Sequence, residues 1–218
     1  MKTVYLHGLP GSGTELAMTR LPNLTVVNRA QRSFADLAKA LPKSELHLVG
    51  FSMGAPAALR LAALCPGQVV RVTIVSPIAP RSMGGDVPPF ATGGGLLSKV
   101  MPGVAQAKRI IAAEPDFFSD PSTRSALKQA LKDGLGPLKP ITEREIAAYE
   151  KPWEKVLDQI RCQVSIWRGE ADPFTTAQSV TALSRSLPYA EVNWLRRCGH
   201  YGALAEVMNA LARLPDLR

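Results

Sequence analysis

Six short apolar stretches recur along the chain, and most of them are separated by segments in which apolar residues follow a helical period. They show little alternation with polar residues, which is typical of strands buried on both faces of a parallel sheet. The stretches are Thr3–Leu6, Leu24–Val27, Glu45–Val49, Val69–Val75, Gln163–Trp167 and Glu191–Leu195. The pattern therefore predicts an α/β fold with a mostly parallel sheet of about six strands flanked by helices.

Three of the intervening segments have helical signals. Ser33 can cap a helix over Phe34–Leu41, because a serine hydroxyl accepts a hydrogen bond from the first turn. The Ala- and Leu-rich stretch Met53–Leu64 is a second helix, and Ala203–Leu214 is the predicted last helix. A helix after nearly every strand fits right-handed crossovers between parallel strands.

The alternation stops between Pro77 and about Pro152. Proline and glycine make the first part of this region loop-like, at Pro80, Pro88-Pro89, Gly93–Gly95 and Pro102-Gly103. Helical patterns follow near Val104–Ala113, Ser122–Lys132 and Thr142–Leu157. Such a long connection between two strands is usually functional. We interpret residues 78–152 as a helical cap inserted into one domain that spans residues 1–218.

Composition narrows the possible functions. The chain has 218 residues, 46% of them hydrophobic, which suffices for one sizeable core. The net charge of +8 results from 26 basic and 18 acidic residues. The basic residues are scattered and form no basic stripe, so we expect a basic surface that binds no nucleic acid. An anionic substrate would still be attracted to it.

No apolar window reaches the roughly 18 residues of a membrane span, and the first apolar run is too short for a signal peptide. We therefore expect no membrane association and a cytoplasmic location. The odd, widely spaced cysteines Cys65, Cys162 and Cys198 predict neither a disulfide framework nor a zinc cluster. We expect no metal and no cofactor.

The strongest chemical signal is the pentapeptide Gly50-Phe51-Ser52-Met53-Gly54, between a predicted strand and a predicted helix. A sharp strand-to-helix turn exposes the hydroxyl of its central serine, and the flanking glycines avoid collisions within the turn. We predict Ser52 as a nucleophile. The Met53 amide, at the start of the helix, is then one donor for the oxyanion of a tetrahedral intermediate.

A second signal, His7-Gly8-Leu9-Pro10-Gly11, follows the first strand. The second oxyanion donor should come from this loop. Because proline has no N–H, we predict the Leu9 amide, with Gly11 as the alternative. His7 lies too early in the chain for the base of this arrangement, so we interpret it as a residue that fixes the loop.

Two further signals follow the last two strands. Glu170 and Asp172 lie in the loop after Gln163–Trp167, and His200 follows Glu191–Leu195. His47 lies within a strand, which leaves His200 as the general base. Asp172 is our predicted partner for its imidazole, because Pro173 stiffens the loop and Glu170 is more easily solvated.

These motifs together resemble those of the α/β-hydrolase superfamily, in its small esterase-like branch. The resemblance runs from Val4 to Pro77 and from Ile160 to the C-terminus, and it leaves the insertion unmatched. It implies an α/β-hydrolase fold with the chain order Ser52, Asp172, His200. The loop after the second strand departs from the family, because Asn28-Arg29-Ala30-Gln31 lacks the usual acidic, glycine-rich turn.

The resulting hypothesis is a serine hydrolase that cleaves a carboxylic ester, or a related acyl bond, of a small substrate through an acyl-enzyme. A thioesterase, an acyltransferase or a carbon–carbon bond hydrolase could use the same triad. A non-catalytic binding protein on this scaffold is a further alternative. A nucleotide kinase is disfavoured, because Thr14 stands where a phosphate-binding loop needs lysine.

Overall fold

A computed structural model describes residues 1–21, 24–27, 29, 33–86 and 102–213. Its six strands form one sheet, and every neighbouring pair is parallel. They are β1 (Lys2–Leu6), β2 (Thr25–Val26), β3 (Leu46–Phe51), β4 (Val69–Val75), β5 (Gln163–Gly169) and β6 (Ala190–Leu195), in the order β2-β1-β3-β4-β5-β6. The predicted sheet is confirmed.

The strand positions explain their composition. All six residues of β3 are buried, because this strand lies between β1 and β4 and is covered on both faces. In β6, which forms one edge of the sheet, every residue is half-buried or exposed. Since all strands are parallel, the loops that follow β1, β3, β5 and β6 meet at one edge, where an open α/β sheet binds its ligands.

Seven α-helices occur in the described part of the chain, together with short 3₁₀ segments. The helices are α1 (Phe34–Ala40), α2 (Gly54–Leu64), α3 (Pro102–Ala113), α4 (Pro121–Leu135), α5 (Lys139–Tyr149), α6 (Ala177–Arg185) and α7 (His200–Leu211). The 3₁₀ segments are Gly13–Met18, Arg81–Met83, Phe117–Ser119 and Glu154–Gln159. Ser33 caps α1 as predicted, since its hydroxyl accepts a hydrogen bond from the Asp36 amide at 3.1 Å.

Three helix predictions differ from the structure. The pattern over Thr142–Leu157 is not one helix, because Pro152 interrupts it between α5 and the 3₁₀ segment that follows. Helix α6 is absent from the predicted elements, because its buried apolar residues are only Val180 and Leu183. The last helix begins at His200 rather than at Ala203. Its first turn is stabilised by Glu114 from the insertion, which accepts hydrogen bonds from the Tyr201 and Gly202 amides.

The insertion between β4 and β5 packs against the rest of the molecule. Ile110, Phe118, Leu127 and Leu131 are buried in the same hydrophobic cluster as the strands. The predicted loops at Pro88-Pro89 and Gly93–Gly95 lie outside the described residues. The described part of the insertion thus shares one core with the sheet.

Candidate active site

Ser52 occupies a strained turn directly after β3. Its φ angle is 52°, in the left-handed region that non-glycine residues seldom adopt. A Cβ atom on Gly50 would lie 2.7 Å from the Gly54 carbonyl oxygen, and one on Gly54 would lie 2.0 Å from the Leu6 carbonyl oxygen. The turn therefore needs glycine on both sides of Ser52. The Ser52 amide donates to the Val75 carbonyl at 2.9 Å, which ties the turn to β4.

The loop after β1 lies directly against this turn. A Cβ atom on Gly8 would be 3.4 Å from the Ser52 Cβ. Among the described residues, the main-chain N–H groups of Leu9 and Met53 have no hydrogen-bond acceptor. The Gly11 amide nitrogen would be 2.2 Å from a Cβ on Gly134, so Gly11 packs against α4. Leu9 and Met53 are thus the better candidates for an oxyanion hole.

A buried carboxylate, Glu15, also supports the loop after β1. Glu15 lies in the 3₁₀ segment Gly13–Met18 and is 1% exposed. It accepts hydrogen bonds from the Tyr5 hydroxyl at 2.5 Å and from the Gly8 amide at 2.9 Å. Burial raises the pKa of Glu15 to about 7, although these hydrogen bonds and the Arg29 charge act in the opposite direction.

His7 belongs to a fixed network beside this loop. Its Nδ1 lies 2.7 Å from the Gly8 carbonyl oxygen. Arg29 donates to the His7 carbonyl at 2.7 Å and forms a buried ion pair with Glu145 of α5, also at 2.7 Å. Burial and the Arg29 charge lower the pKa of His7 to about 3, so its ring is neutral at ordinary pH. This network supports the loop-fixing interpretation of His7.

Asp172 and His200 lie in contact. The His200 Nδ1 and the Asp172 Oδ2 are 2.9 Å apart, and both side chains are buried. Asp172 also accepts hydrogen bonds from the Phe174 amide and the Thr175 hydroxyl, each at 2.8 Å. Burial alone would raise the pKa of Asp172, but the His200 charge and the hydrogen bonds hold it well below its usual range. The carboxylate can therefore hold one imidazole tautomer and stabilise the imidazolium.

Glu170 has a different place in this loop. Its side chain is exposed, and its amide donates to the Leu195 carbonyl at 2.9 Å. A Cβ atom on Gly169 would lie 2.1 Å from the Cys198 carbonyl oxygen, so the loop after β5 packs tightly against the loop before His200. This packing brings Asp172, rather than Glu170, to the imidazole.

His200 lies among aromatic rings, one of which belongs to Phe51, the residue before Ser52. The Phe51 ring centroid is 4.8 Å from that of His200, and the Phe174 centroid is 5.2 Å away. Burial disfavours the charged imidazole, but the charge and hydrogen bond of Asp172, together with the charges of Glu114 and Glu15, raise the pKa of His200. Within the described residues no hydrogen bond joins the Ser52 hydroxyl to His200, and such bonds are often looser before substrate binds.

Sequence reasoning missed several residues around this site. Thr175, three residues after Asp172, has a visible signal, because a threonine there can close a turn on the aspartate. Glu114 and Arg29 have no such signal, since their partners lie far away in the chain. His47 bonds the Thr73 hydroxyl at 2.8 Å inside the sheet, in agreement with a packing role.

Two features are absent from the part of the chain that the structure describes. No group of three or more histidine, cysteine, aspartate or glutamate side chains there could hold a metal ion. No helix there is both long enough and apolar enough to cross a membrane.

Comparison with solved structures shows the same fold in several hydrolases. A thermophilic esterase from Thermogutta terrifontis is 16% identical, with a TM-score of 0.70 over 98% of this chain and 88% of the other. The 2-hydroxy-6-oxo-6-phenylhexa-2,4-dienoate hydrolase from a Rhodococcus species is 19% identical, with a TM-score of 0.67 over 97% and 88%. An N-acyl homoserine lactone degrading enzyme is 18% identical, with a TM-score of 0.68 over 98% and 92%.

A search of the curated proteins found no match. The sequence model of the alpha/beta hydrolase family, however, matches residues 3–214, which is nearly the whole chain. This match agrees with the all-parallel sheet and with the turn that carries Ser52. The chain therefore belongs to the alpha/beta hydrolase family.

Proposed function

We propose that this protein is a serine hydrolase that cleaves a carboxylic ester of a small substrate. The observation that carries the proposal is the buried Asp172–His200 pair, at 2.9 Å, whose imidazole contacts the ring of Phe51, the residue before the strained Ser52. A serine becomes a useful nucleophile only when a base can take its proton, and the base must be oriented by a third group. These three residues can supply those roles.

In the first half of the reaction, the Ser52 Oγ attacks the ester carbonyl carbon while the His200 Nε2 takes its proton. Asp172, held on the opposite ring nitrogen, stabilises the imidazolium that forms. The amides of Leu9 and Met53 stabilise the oxyanion of the tetrahedral intermediate. The intermediate then collapses, the carbon–oxygen bond to the leaving alcohol breaks, and His200 protonates that alcohol.

In the second half, water attacks the acyl-enzyme while His200 takes a proton from it. The same amides stabilise the second oxyanion, and the acid leaves as the Ser52 Oγ regains its proton. No cofactor is needed for this chemistry. The proposed partner is a small-molecule acyl substrate.

We further propose that the insertion, residues 78–152, acts as a cap that borders the acyl-binding pocket. Contacts between α4 and the loop after β1 support this role. Asp133 accepts hydrogen bonds from the Ser12 hydroxyl at 2.8 Å and from the Thr14 hydroxyl at 3.1 Å. The insertion thus touches the loop that holds the proposed oxyanion donor.

A fluorophosphonate probe tests the proposal directly, because it labels only an activated serine. We expect the purified protein to be labelled at Ser52 and Ser52→Ala to remain unlabelled. Ser76→Ala is the matched control, since Ser76 is also buried, follows a strand and has a positive φ of 46°. It should be labelled like the unmodified protein. Absence of label on the folded, unmodified protein would contradict the proposal.

Protein that has not been exposed to the probe should then be assayed on a panel of acyl chain lengths with nitrophenyl ester and thioester leaving groups. We expect ester hydrolysis to be the faster activity. A consistent preference for thioesters would place the protein with the thioesterases that use the same triad.

A further inference from the structure

A second buried carboxylate lies next to His200, and it comes from the insertion. Glu114 follows the last residue of α3 and is 6% exposed. Its two oxygens accept hydrogen bonds from the main-chain amides of Tyr201 and Gly202, each at 2.9 Å. These amides belong to the first turn of α7, the helix that begins with His200.

Burial raises the pKa of Glu114, whereas its hydrogen bonds to the Gly202 and Tyr201 amides and the His200 charge act in the opposite direction and favour the anion. A buried carboxylate is unfavourable unless donors satisfy it. Two amide donors and the positive end of the α7 dipole act together here, and hydrogen bonds to a charged acceptor are stronger than neutral ones. The same bonds explain why α7 begins three residues before the predicted Ala203. Without this acceptor, two first-turn amides would be buried and unpaired.

The chain beside His200 is shaped to admit this carboxylate. A Cβ atom on Gly199 would lie 2.3 Å from the Glu114 Cδ, so any other residue at that position would displace the side chain. The Phe118 ring, four residues after Glu114, contacts the Tyr201 ring with centroids 5.7 Å apart. Polar and apolar contacts from the insertion therefore converge on the first turn of α7.

Three carboxylates act on the His200 imidazole, from three elements. Asp172 contacts it directly, whereas Glu114 and Glu15 act through their charges. Burial lowers the pKa of His200, and the charges of Asp172, Glu114 and Glu15 together raise it. Among the described residues, the charge of Glu114 also acts on the Cys198 thiol and the Tyr201 phenol, and burial raises the pKa of both.

We propose that Glu114 is a positioning residue for His200, by which the insertion holds the first turn of α7 and adds a negative charge beside the imidazole. The inference rests on the proposed serine-hydrolase function, because it assigns a role relative to the base. Glu114 acts through the α7 backbone and through its charge, without contact to substrate.

The test measures the rate of fluorophosphonate labelling as a function of pH. In the unmodified protein the rate should rise with pH through a midpoint set by deprotonation of His200. Glu114→Gln removes the charge and leaves one of the two amides without an acceptor. We expect its midpoint to move to lower pH, and its plateau rate to fall about tenfold because the base is misplaced.

Glu206→Gln is the matched control, because it removes the same charge from an exposed position on α7. Its midpoint and plateau rate should equal those of the unmodified protein. A merely structural role of Glu114 would lower stability without moving the midpoint. The inference is overturned if folded Glu114→Gln labels with the midpoint of the control.

Glu114→Asp gives a second, independent readout should Glu114→Gln not fold. Aspartate keeps the charge but is one methylene shorter, so it cannot bridge both amides in the same way. We expect a lower plateau rate with a midpoint close to that of the unmodified protein. An unchanged rate would overturn the inference. Failure of the unmodified protein to label would instead overturn the proposed function, so the two failures are distinguishable.

Discussion

The loops at the sheet edge and the insertion satisfy their buried carboxylates over very different sequence distances. In the loop after β5, Asp172 accepts hydrogen bonds from residues two and three positions ahead. In the insertion, Glu114 accepts hydrogen bonds from amides 87 and 88 positions away, and Glu145 pairs with Arg29 at a separation of 116. The loops are built locally, whereas the insertion is fixed by contacts with the rest of the fold.

This difference indicates what kind of cap the insertion can be. Segments that open readily have few buried contacts and many solvent-exposed hydrogen bonds. The insertion instead contacts the rest of the fold at three places. Its Asp133 accepts a hydrogen bond from the loop after β1, its Glu145 pairs with Arg29, and its Glu114 accepts a hydrogen bond from the first turn of α7. Removing most of it would expose the shared core and leave Arg29 buried without its partner. We therefore expect the described part of the insertion to unfold together with the sheet.

The largest expected effect concerns the locally built loops. Ser52→Ala and His200→Ala should each lower kcat by at least about 10³, because triad residues act as a unit. Circular dichroism should show an unchanged fold for both variants. Steady-state hydrolysis of the best ester from the substrate panel is the measurement. Normal turnover by either purified variant would contradict the proposed roles.

The next effect concerns how the insertion is attached. Arg29→Met leaves the buried Glu145 carboxylate with only its longer ion pair to the exposed Arg144, at 3.8 Å. Breaking a buried ion pair typically lowers the free energy of unfolding by about 3–5 kcal/mol, and we expect a loss near the lower end of this range. Urea unfolding measures the loss. Replacing both partners by methionine should restore much of the stability, because no unpaired charge remains.

An exposed ion pair elsewhere in the insertion is the control for this prediction. Arg81 and Glu150 are 2.6 Å apart, with side chains 51% and 48% exposed. Arg81→Met should cost less than about 1 kcal/mol, because water screens such pairs. If Arg29→Met and Arg81→Met lose the same free energy of unfolding, the buried Arg29–Glu145 pair holds the insertion no more strongly than an exposed pair does.

A smaller effect separates the two carboxylates of the loop after β5. Asp172→Asn keeps the shape of the side chain but favours the wrong imidazole tautomer, so kcat should fall by at least about 10². Glu170→Gln changes an exposed side chain and should cost less than about tenfold. Both rates are measured at matched stability. The reverse ranking would make Glu170 the acid.

The features that could be predicted from the sequence lie mainly in the sheet and its locally built loops, rather than in the insertion. The six strands could be predicted because buried parallel strands are continuous apolar runs, as in β4, where the predicted and observed bounds agree. The loops after β1, β3, β5 and β6 could be found because each motif is contiguous in sequence. Strand ends differ from the predicted bounds elsewhere, since β2 is limited to Thr25–Val26 where Leu24–Val27 is predicted.

The failures arise where a partner is distant or the local pattern is weak. The early start of α7 depends on Glu114, which no pattern near His200 reveals. Arg29 lies in a stretch that departs from the family pattern, and its partners are His7, 22 positions away, and Glu145 of α5, 116 positions away. In α6, Thr176 provides a cap, accepting from the Ser179 amide at 3.1 Å, but the helix has too few apolar residues to be recognised.

Glu15 gives the smallest expected effect in the comparison between local and distant partners, because it is a buried acid whose partners are local. Tyr5 and Gly8 both donate to its Oε1. A glutamine carbonyl could accept the same two hydrogen bonds. Glu15→Gln therefore removes the charge while keeping the contacts that support the loop after β1.

The sign of the resulting pH dependence follows from the pKa of Glu15, which burial raises from 4.5 to about 7. The folded protein holds this proton more tightly than the unfolded chain does, so stability falls as pH rises from 4.5 to about 7 and stays lower above it. Between about pH 5 and about pH 8 the unmodified protein should lose about 2 kcal/mol more than Glu15→Gln does. Urea unfolding at both pH values measures this difference, and other titrating groups cancel in it.

Glu170→Gln is the control, because it removes an exposed charge, and its stability should change with pH as that of the unmodified protein does. If Glu15→Gln and Glu170→Gln lose the same free energy of unfolding between the two pH values, the fold does not raise the pKa of Glu15.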